Sequence, residues 1–186
     1  MAKKRNDTNY ANWVSTKFIY GPLIISVPFW GLLWISPVFA IMAACFLLIS
    51  AYFVYACYEF SPRGKNIQAK LWELVLGYLD WDGTGNALDI GCGNAPLTIA
   101  LAQQYPDGRV TGIDTWGKAW DYSKAICERN AKAAGVAKQT DFQKASASAL
   151  PFEDGLFDTA VSNFVFHEVN DAKDKREVVR EALRVI

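Results

Sequence analysis

Histidine and paired cysteines are scarce in this sequence. There is one histidine, and none of the four cysteines belongs to a CxxC pair, so the ligands of a structural zinc site are missing. Unpaired cysteines suit a cytoplasmic domain and argue against a disulfide framework. Basic and acidic residues are equal in number, 19 of each, so the overall charge does not favour nucleic acid as a partner. We therefore expect neither a metal site nor a nucleic-acid partner.

Charge is also missing from a long internal segment. The 41 residues from Phe18 to Tyr58 contain no charged side chain. This run exceeds the apolar core of a signal peptide, about 7–15 residues, and has room for two membrane-spanning helices of about 20 residues each. The stretch WISP (34–37) is the expected turn, because proline lacks a backbone donor and serine favours turns. The sequence thus predicts a transmembrane helical hairpin over 18–58. The alternative, a buried hairpin of a soluble protein, would need more chain to cover it.

Basic residues flank the predicted hairpin on both sides. They are Lys3, Lys4, Arg5 and Lys17 before it, and Arg63, Lys65 and Lys70 after it. By the positive-inside rule both ends of the hairpin face the cytoplasm. We therefore predict a cell-membrane protein with four parts: a basic cytoplasmic N-terminus (1–17), the hairpin (18–58), a linker (59–65) and a cytoplasmic domain (66–186).

Strand and helix patterns alternate through the predicted cytoplasmic domain. This alternation is typical of a doubly wound, mostly parallel α/β sheet with helices on both faces. Only four strands are predicted, so we expect a fold truncated before its C-terminal strands, a fragment that is inactive alone. The predicted strands are 87–90, 109–113, 140–143 and 157–163, and the helices begin at 67, 96, 118 and 172. The predicted buried stripe of the last helix is Val178, Val179, Ala182, Leu183 and Ile186.

The stretch NALDIGCGNAP predicts a strand, a glycine turn and a helix start. Gly91 and Gly93 fit the dinucleotide-binding fingerprint, but Pro96 stands where its third glycine belongs. The carboxylate of Asp89 would repel a pyrophosphate and would favour a cationic ligand or backbone amides. The next strand ends in Asp114, an acid placed to accept the hydroxyls of a ribose lying over the turn. A nucleoside with a positively charged tail is therefore favoured, and a nicotinamide-dependent oxidoreductase is disfavoured.

Four segments in this order resemble the class I S-adenosylmethionine-dependent methyltransferases, over residues 66–186. The segments are LDIGCGNA, GIDTW, ASASALPFEDGLFDTAVSNFVFHEV and REVVREALRVI. The third is similar to the adenine loop and fourth strand of the quinone and small-molecule methyltransferases. The resemblance implies a Rossmann-like fold and S-adenosylmethionine as the cofactor. It also implies a cofactor site drawn from Asp89, Gly91, Cys92, Gly93, Asp114, Thr115, Trp116, Ser146, Ala147 and Asn163.

Several positions in these segments leave alternatives open. The family often has an aspartate that meets the adenine amino group, and Ser146 takes that place here with a hydrogen-bonding group that lacks charge. Ala95 replaces a further glycine of the first motif. Trp116 either flanks the adenine ring or packs structurally. Asn163 and His167 follow the fourth strand, where the transfer site is expected, and are the predicted catalytic residues. A structural hydrogen bond is the alternative for His167.

These features together predict a membrane-anchored methyltransferase. It would transfer the methyl group of S-adenosylmethionine to a small-molecule or lipid-like acceptor. Such a transfer depends chiefly on orientation and desolvation, so no dedicated acid or base is required. The alternative from another class is a non-catalytic membrane module that keeps a nucleoside-binding fold as a scaffold or sensor.

Overall fold

The computed structural model describes residues 8–117 and 122–186, and the chain divides into two compact units. One unit is Asn12–Leu71, and the other combines residues up to Ala11 with Trp72–Ile186. The boundary falls inside helix α3 (Ile67–Tyr78). Three of the predicted flanking residues, Lys3, Lys4 and Arg5, lie outside the described residues, as does the predicted start of the helix at residue 118.

The first unit contains a helical hairpin. Helix α1 (Lys17–Gly31) and helix α2 (Val38–Phe60) are separated by a turn, and Pro37 immediately precedes α2 as predicted. The two helices pack through stacked aromatic pairs, among them Phe29 on Phe46 with ring centroids 5.7 Å apart. The Ser50 hydroxyl donates across the interface to the carbonyl of Ile19 at 2.8 Å.

Only one helix of the described residues, α2, is long and apolar enough to cross a membrane. It has 23 residues, which at about 1.5 Å per residue exceeds the hydrocarbon thickness of about 30 Å. Helix α1 has 15 residues, contains Pro22 and Pro28, and ends at Gly31. It is therefore too short to span a bilayer in the same way. The predicted pair of membrane-spanning helices is not confirmed, because the chain leaves the α1 helix before the predicted turn.

The second unit is built on a four-stranded parallel sheet in the order β3-β2-β1-β4. Its strands are β1 (Asn86–Ile90), β2 (Arg109–Asp114), β3 (Thr140–Lys144) and β4 (Thr159–Ser162). The helices between and after them are α4 (Pro96–Gln104), α5 (Lys124–Ala134) and α6 (Lys175–Arg184). The predicted parallel α/β architecture is confirmed. Register pairs such as Ile90 with Ile113 and Ile90 with Ser162 align the carboxyl ends of β1, β2 and β4 at one edge.

Apolar residues form two clusters, one on each face of the sheet. Alternation along β1 sends Ala87 into one cluster and Leu88 and Ile90 into the other. The first includes buried residues of α4 and α5, and the second includes the buried residues of α6. The buried apolar residues of α6 are Val178 and Ala182, and Val185, directly after the helix, is buried with them. The predicted inclusion of Val179, Leu183 and Ile186 was wrong, since these side chains are exposed.

Candidate functional site

The glycine turn (residues 91–95) joins β1 to α4 at the carboxyl edge of the sheet. Its first two amides both donate to the carbonyl of Ile113 near the end of β2, at 2.8 and 2.9 Å. Gly91, Gly93 and Ala95 have positive φ angles of 79°, 57° and 66°. A glycine reaches these angles at little cost, whereas Ala95 holds a left-handed conformation that its side chain disfavours. The backbone of the turn is therefore fixed at the sheet edge by its hydrogen bonds and its left-handed residues.

Gly91 also allows the segment after β4 to approach the turn. A Cβ atom at Gly91 would collide with the side chain of Val165. The hydroxyl of Ser162 donates to the carbonyl of Ile90 at 3.1 Å, so β4 ends beside β1. This arrangement brings the residues that follow β4, beginning with Asn163, to the edge where the glycine turn lies.

Asp114 links the ends of β1 and β2. One carboxylate oxygen accepts from the Gly93 amide at 2.9 Å, and the other accepts from the Trp116 amide at 2.7 Å. A carboxylate has about four lone-pair sites, so each oxygen can accept one further hydrogen bond. The group thus has capacity for two hydroxyl donors beside the glycine turn, which fits a ribose diol.

Two aromatic residues lie against Gly93. The indole of Trp116, whose φ is 43°, donates to the Gly93 carbonyl at 3.0 Å. A Cβ atom at Gly93 would lie 3.4 Å from the ring of Tyr122. Thr115, between Asp114 and Trp116, is exposed. Gly93 therefore sits beside two aromatic rings, and the Trp116 indole meets it through its N–H edge.

Asp89 lies behind the turn rather than at its surface. Its side chain is 2% exposed, and it accepts from the Thr98 hydroxyl at 2.6 Å. Thr98 is in the first turn of α4, where unsatisfied amides and the helix dipole favour a carboxylate. Burial is the main cause that raises the pKa of Asp89 to about 7, against its ordinary value of 3.8. The predicted contact of Asp89 with a cofactor stays a prediction.

The two buried thiols of the site also point into the protein. Cys92 and Cys127 belong to the cluster under α4 and α5. Burial raises the pKa of Cys92 well above its ordinary value. The Cys127 thiol donates to the Gly93 carbonyl at 3.1 Å. Cys92 thus contributes its backbone to the turn, and its thiol stays protonated.

The loop after β3 adds a set of hydroxyl groups. The amide of Ala145 donates to the Asp114 carbonyl at 3.2 Å, so this loop starts beside the predicted ribose site. The Ser146 and Ser148 hydroxyls are 2.9 Å apart, and Ser148 donates to Asp171 at 2.7 Å. The two serines lower the pKa of the Asp171 carboxyl. Ala147, predicted with Ser146, is buried in the cluster on the α6 side, so only its backbone can face a ligand.

The two predicted catalytic residues differ in their surroundings. The side-chain nitrogen of Asn163 is buried and has no hydrogen-bond partner within the described part of the chain. Such a donor is costly unless a ligand or water accepts from it. His167 is 65% exposed in its side chain and lies 3.6 Å from Glu168, in a short 3-10 turn (Phe166–Glu168). The structure therefore places an unused donor at Asn163 and an accessible imidazole one turn farther on.

Four residues that bear on this site were not predicted. They are Thr98 of α4, Tyr122 of the loop before α5, Asn130 of α5, which donates to the Asn94 carbonyl, and Asp171 of the loop before α6. Thr98 alone had a usable signal, its place in the first helical turn after Asp89. The positions of the other three residues depend on how separate elements pack together, which the spacing of residues in the sequence does not reveal. No cluster of three or more potential metal ligands occurs among residues 8–117 and 122–186.

Comparison with known proteins identifies the same part of the chain. Residues 87–186 match the family described as methyltransferase domain. The demethylmenaquinone methyltransferase of Bacillus cytotoxicus is 36% identical over 119 residues, which are 63% of this chain and 47% of that protein.

Two solved structures share the fold. The [4+2]-cyclase SpnF aligns with a TM-score of 0.55 and 28% identity over 63% of this chain and 40% of its own. The geranyl diphosphate C-methyltransferase of Streptomyces coelicolor, solved with S-adenosylhomocysteine, aligns with a TM-score of 0.56 and 14% identity over 74% of this chain and 46% of its own. The chain spans less than half the length of each of these relatives.

Proposed function

The chain belongs to the family of methyltransferase domains, and we propose that it is a membrane-anchored enzyme that methylates a small, lipid-soluble acceptor. The observation that carries the proposal is the Asp114 carboxylate, which accepts from Gly93 and Trp116 and retains capacity for two hydroxyl donors. S-adenosylmethionine, when bound, supplies a methyl group on a positively charged sulfur. The residues of the site would bind this cofactor and orient the acceptor.

The residues at the sheet edge fit the parts of such a cofactor. Asp114 would accept from the ribose hydroxyls, and the glycine turn would lie under the charged tail. The hydroxyl of Ser146 lies at the β3 side, where a base extending past Asp114 would be found. The pair of Ser148 and Asp171 orients that hydroxyl through the hydrogen bonds already described.

Asn163 and His167 are proposed to serve the acceptor. The buried Asn163 nitrogen would donate to an oxygen of the acceptor and orient it toward the sheet edge. An acceptor that carries O–H or N–H loses a proton when its new bond to carbon forms. His167 has the exposure needed to take that proton and pass it to water.

The helical hairpin supports the membrane part of the proposal. Its buried residues are small, namely Ser26, Ala43 and Ser50, whereas its large apolar side chains are exposed. Small residues at the interface and apolar residues outside are the pattern of helices that pack in lipid. Trp34 in the turn is 96% exposed, which suits an interfacial aromatic residue. A lipid-soluble acceptor, such as the quinone named for the Bacillus relative, would be concentrated where this hairpin lies.

Arg63 and Lys65 support a cytoplasmic position for the methyltransferase domain. They follow α2, the one candidate span of the described residues, on the side of that domain, and the positive-inside rule assigns such a flank to the cytoplasm. We propose the inner face of the cell membrane as the site of action.

Replacement of Asp114 tests the cofactor assignment. Asp114→Ala removes the acceptor of the ribose hydroxyls, and we expect the affinity for S-adenosylhomocysteine to fall by about 1–3 kcal/mol, measured by calorimetry in detergent micelles. Asp141→Ala is a matched control, because this carboxylate on β3 accepts from Gln143 instead. Equal losses in both variants, or none at Asp114, would contradict the ribose assignment.

Transfer of a radiolabelled methyl group tests the activity itself. We expect the full-length protein to label a component extracted from membranes by organic solvent, and its Asp114→Ala variant to label that component far more slowly. The fold of the SpnF cyclase keeps the alternative open that the domain binds the nucleoside without methylating anything. Binding of S-adenosylhomocysteine with no label in any membrane or soluble fraction would favour that alternative.

A further inference from the structure

An N-terminal arm, residues 8–11, belongs to the sheet-containing unit although the hairpin follows it in sequence. The Asn9 amide donates to the side-chain oxygen of Asn130 at 2.8 Å, and the Asn130 side-chain nitrogen donates to the Asn9 carbonyl at 2.9 Å. Tyr10 is half-buried beside the core cluster of α4 and α5, with its ring edge-on to Trp72. The arm is therefore docked through both its backbone and an aromatic side chain.

Asn130 connects this arm to the glycine turn. The same side-chain nitrogen also donates to the Asn94 carbonyl at 2.9 Å. Two neighbours on the same side of α5 reach the turn as well: the Ser123 amide donates to the Asn94 side chain, and the Cys127 thiol donates to the Gly93 carbonyl. Of these three residues, Asn130 is the one that also contacts the arm, through the backbone of Asn9.

The surroundings of Asn130 make its orientation depend on the arm. Its side chain is 0% exposed, so water cannot replace a lost partner. The Asn9 amide satisfies the oxygen, which leaves the nitrogen directed at the Asn9 and Asn94 carbonyls. If the Asn9 amide is removed while the arm stays docked, the oxygen is buried and unpaired, and the amide group gains by rotating away from the glycine turn.

We propose that Asn130 is a positioning residue for the cofactor, held in its working orientation by the backbone of the arm. It fixes the Asn94 carbonyl and with it the glycine turn, whose Gly93 amide is aligned on Asp114. This inference rests on the proposed function, because the turn matters for affinity only if the cofactor binds there.

Asn9 offers a matched pair of variants that separates backbone from side chain. Asn9→Pro removes the amide that donates to Asn130, whereas Asn9→Ala keeps it and removes only the side chain, which accepts from the Ala11 amide. We expect Asn9→Pro to raise the Kd for S-adenosylhomocysteine about tenfold in the full chain in micelles, and Asn9→Ala to leave it within twofold. Asn130→Ala should raise the Kd at least as much as Asn9→Pro.

A stability control and a second readout distinguish positioning from simple loss of folding. Val178→Ala weakens the cluster on the α6 side, where Val178 is fully buried, and touches neither the arm nor the turn; its Kd should match the unmodified chain. Hydrogen exchange of the Asn9 amide should slow when S-adenosylhomocysteine binds, because coupling between two sites is reciprocal.

The outcomes separate this inference from the proposed function. An unmodified chain that fails to bind S-adenosylhomocysteine would overturn the assigned cofactor. Normal binding by the unmodified chain with an unchanged Kd for Asn9→Pro would overturn the role of the arm alone. An equal rise in Kd for Val178→Ala would also overturn it, since general destabilisation would then explain the effect.

Discussion

Asp89 combines complete burial with a hydrogen bond from a helix terminus, and this combination has a consequence for stability. Its pKa is raised to about 7 in the folded protein, against 3.8 for an ordinary carboxyl. The folded state therefore holds the proton more tightly than the unfolded state. The resulting stabilisation is complete below about pH 4 and is lost as the pH rises through about 7. Other groups titrate in the same range, so the effect must be isolated by a variant.

Asp89→Asn is expected to remove this dependence. Between pH 4 and 7 the free energy of unfolding of the unmodified chain should fall, relative to the variant, by up to about 1.4 kcal/mol per pH unit. Denaturant unfolding at several pH values measures the difference. Thr98→Val removes a donor that lowers the pKa of Asp89. In this variant the fall in the free energy of unfolding should therefore continue to a higher pH. Parallel pH profiles for the unmodified chain and Asp89→Asn would show that the carboxyl titrates normally.

Single residues illustrate what the sequence predicts at this scale and what it leaves out. The two glycines and Asp114 follow from the order of strand, turn and helix, and the structure brings them together. The contact of Asp89 with Thr98 depends in part on Gly112, where a Cβ atom would lie 2.9 Å from the Thr98 hydroxyl. The sequence around Gly112 does not predict this contact, because Thr98 belongs to another element.

Helix α2 allows a prediction at the scale of an element. Leu48, near its middle, is 70% exposed, and Val38, at its start, is 56% exposed. In water a lysine at either position would be tolerated. In a bilayer we expect Leu48→Lys to cost about 2.5–3.5 kcal/mol, and Val38→Lys far less, since a terminal lysine reaches the headgroups. Retention in the membrane pellet after an alkaline wash should drop for Leu48→Lys only. Equal retention of both variants would contradict a spanning α2.

Element boundaries were predicted well where local chemistry determines them. Pro96 at the first position of α4 marks a predicted helix start that the structure confirms. The buried side of α6 was mispredicted because its apolar residues form two adjacent rows along the helix. Both rows have the helical spacing of three or four residues, so the spacing does not tell which one is buried. Which row is buried depends on how α6 lies on the sheet, a property that its own sequence does not contain.

Ligand binding gives a prediction for the whole molecule. S-adenosylhomocysteine at 100 times its Kd should stabilise the sheet-containing unit by about 2.7 kcal/mol, which corresponds to a rise in its melting temperature on the order of 10 °C. Differential scanning fluorimetry in micelles measures the shift. NAD at the same concentration should have little effect, because Pro96 stands where the dinucleotide-binding fingerprint has its third glycine. A larger shift with NAD would contradict the assigned cofactor.

At this scale the sequence predicted a membrane segment followed by a parallel α/β domain, and it missed the arm. The uncharged run and the alternation of strands and helices each extend over many residues, so a few atypical residues do not hide them. The arm is four described residues without apolar periodicity, and its partner lies on α5. A few specific hydrogen bonds hold the arm on the sheet-containing unit, and amino-acid composition does not indicate such bonds.

The link between Asn9 and Asn130 also sets an order of events during synthesis. The two residues are 121 positions apart, so at about 5–20 residues per second the ribosome needs roughly 6–24 s to make the second after the first. Both hairpin helices and the first two strands are made within that interval. The arm therefore emerges well before its partner, and a nascent chain that stops short of α5 lacks the Asn130 side chain that accepts from the Asn9 amide.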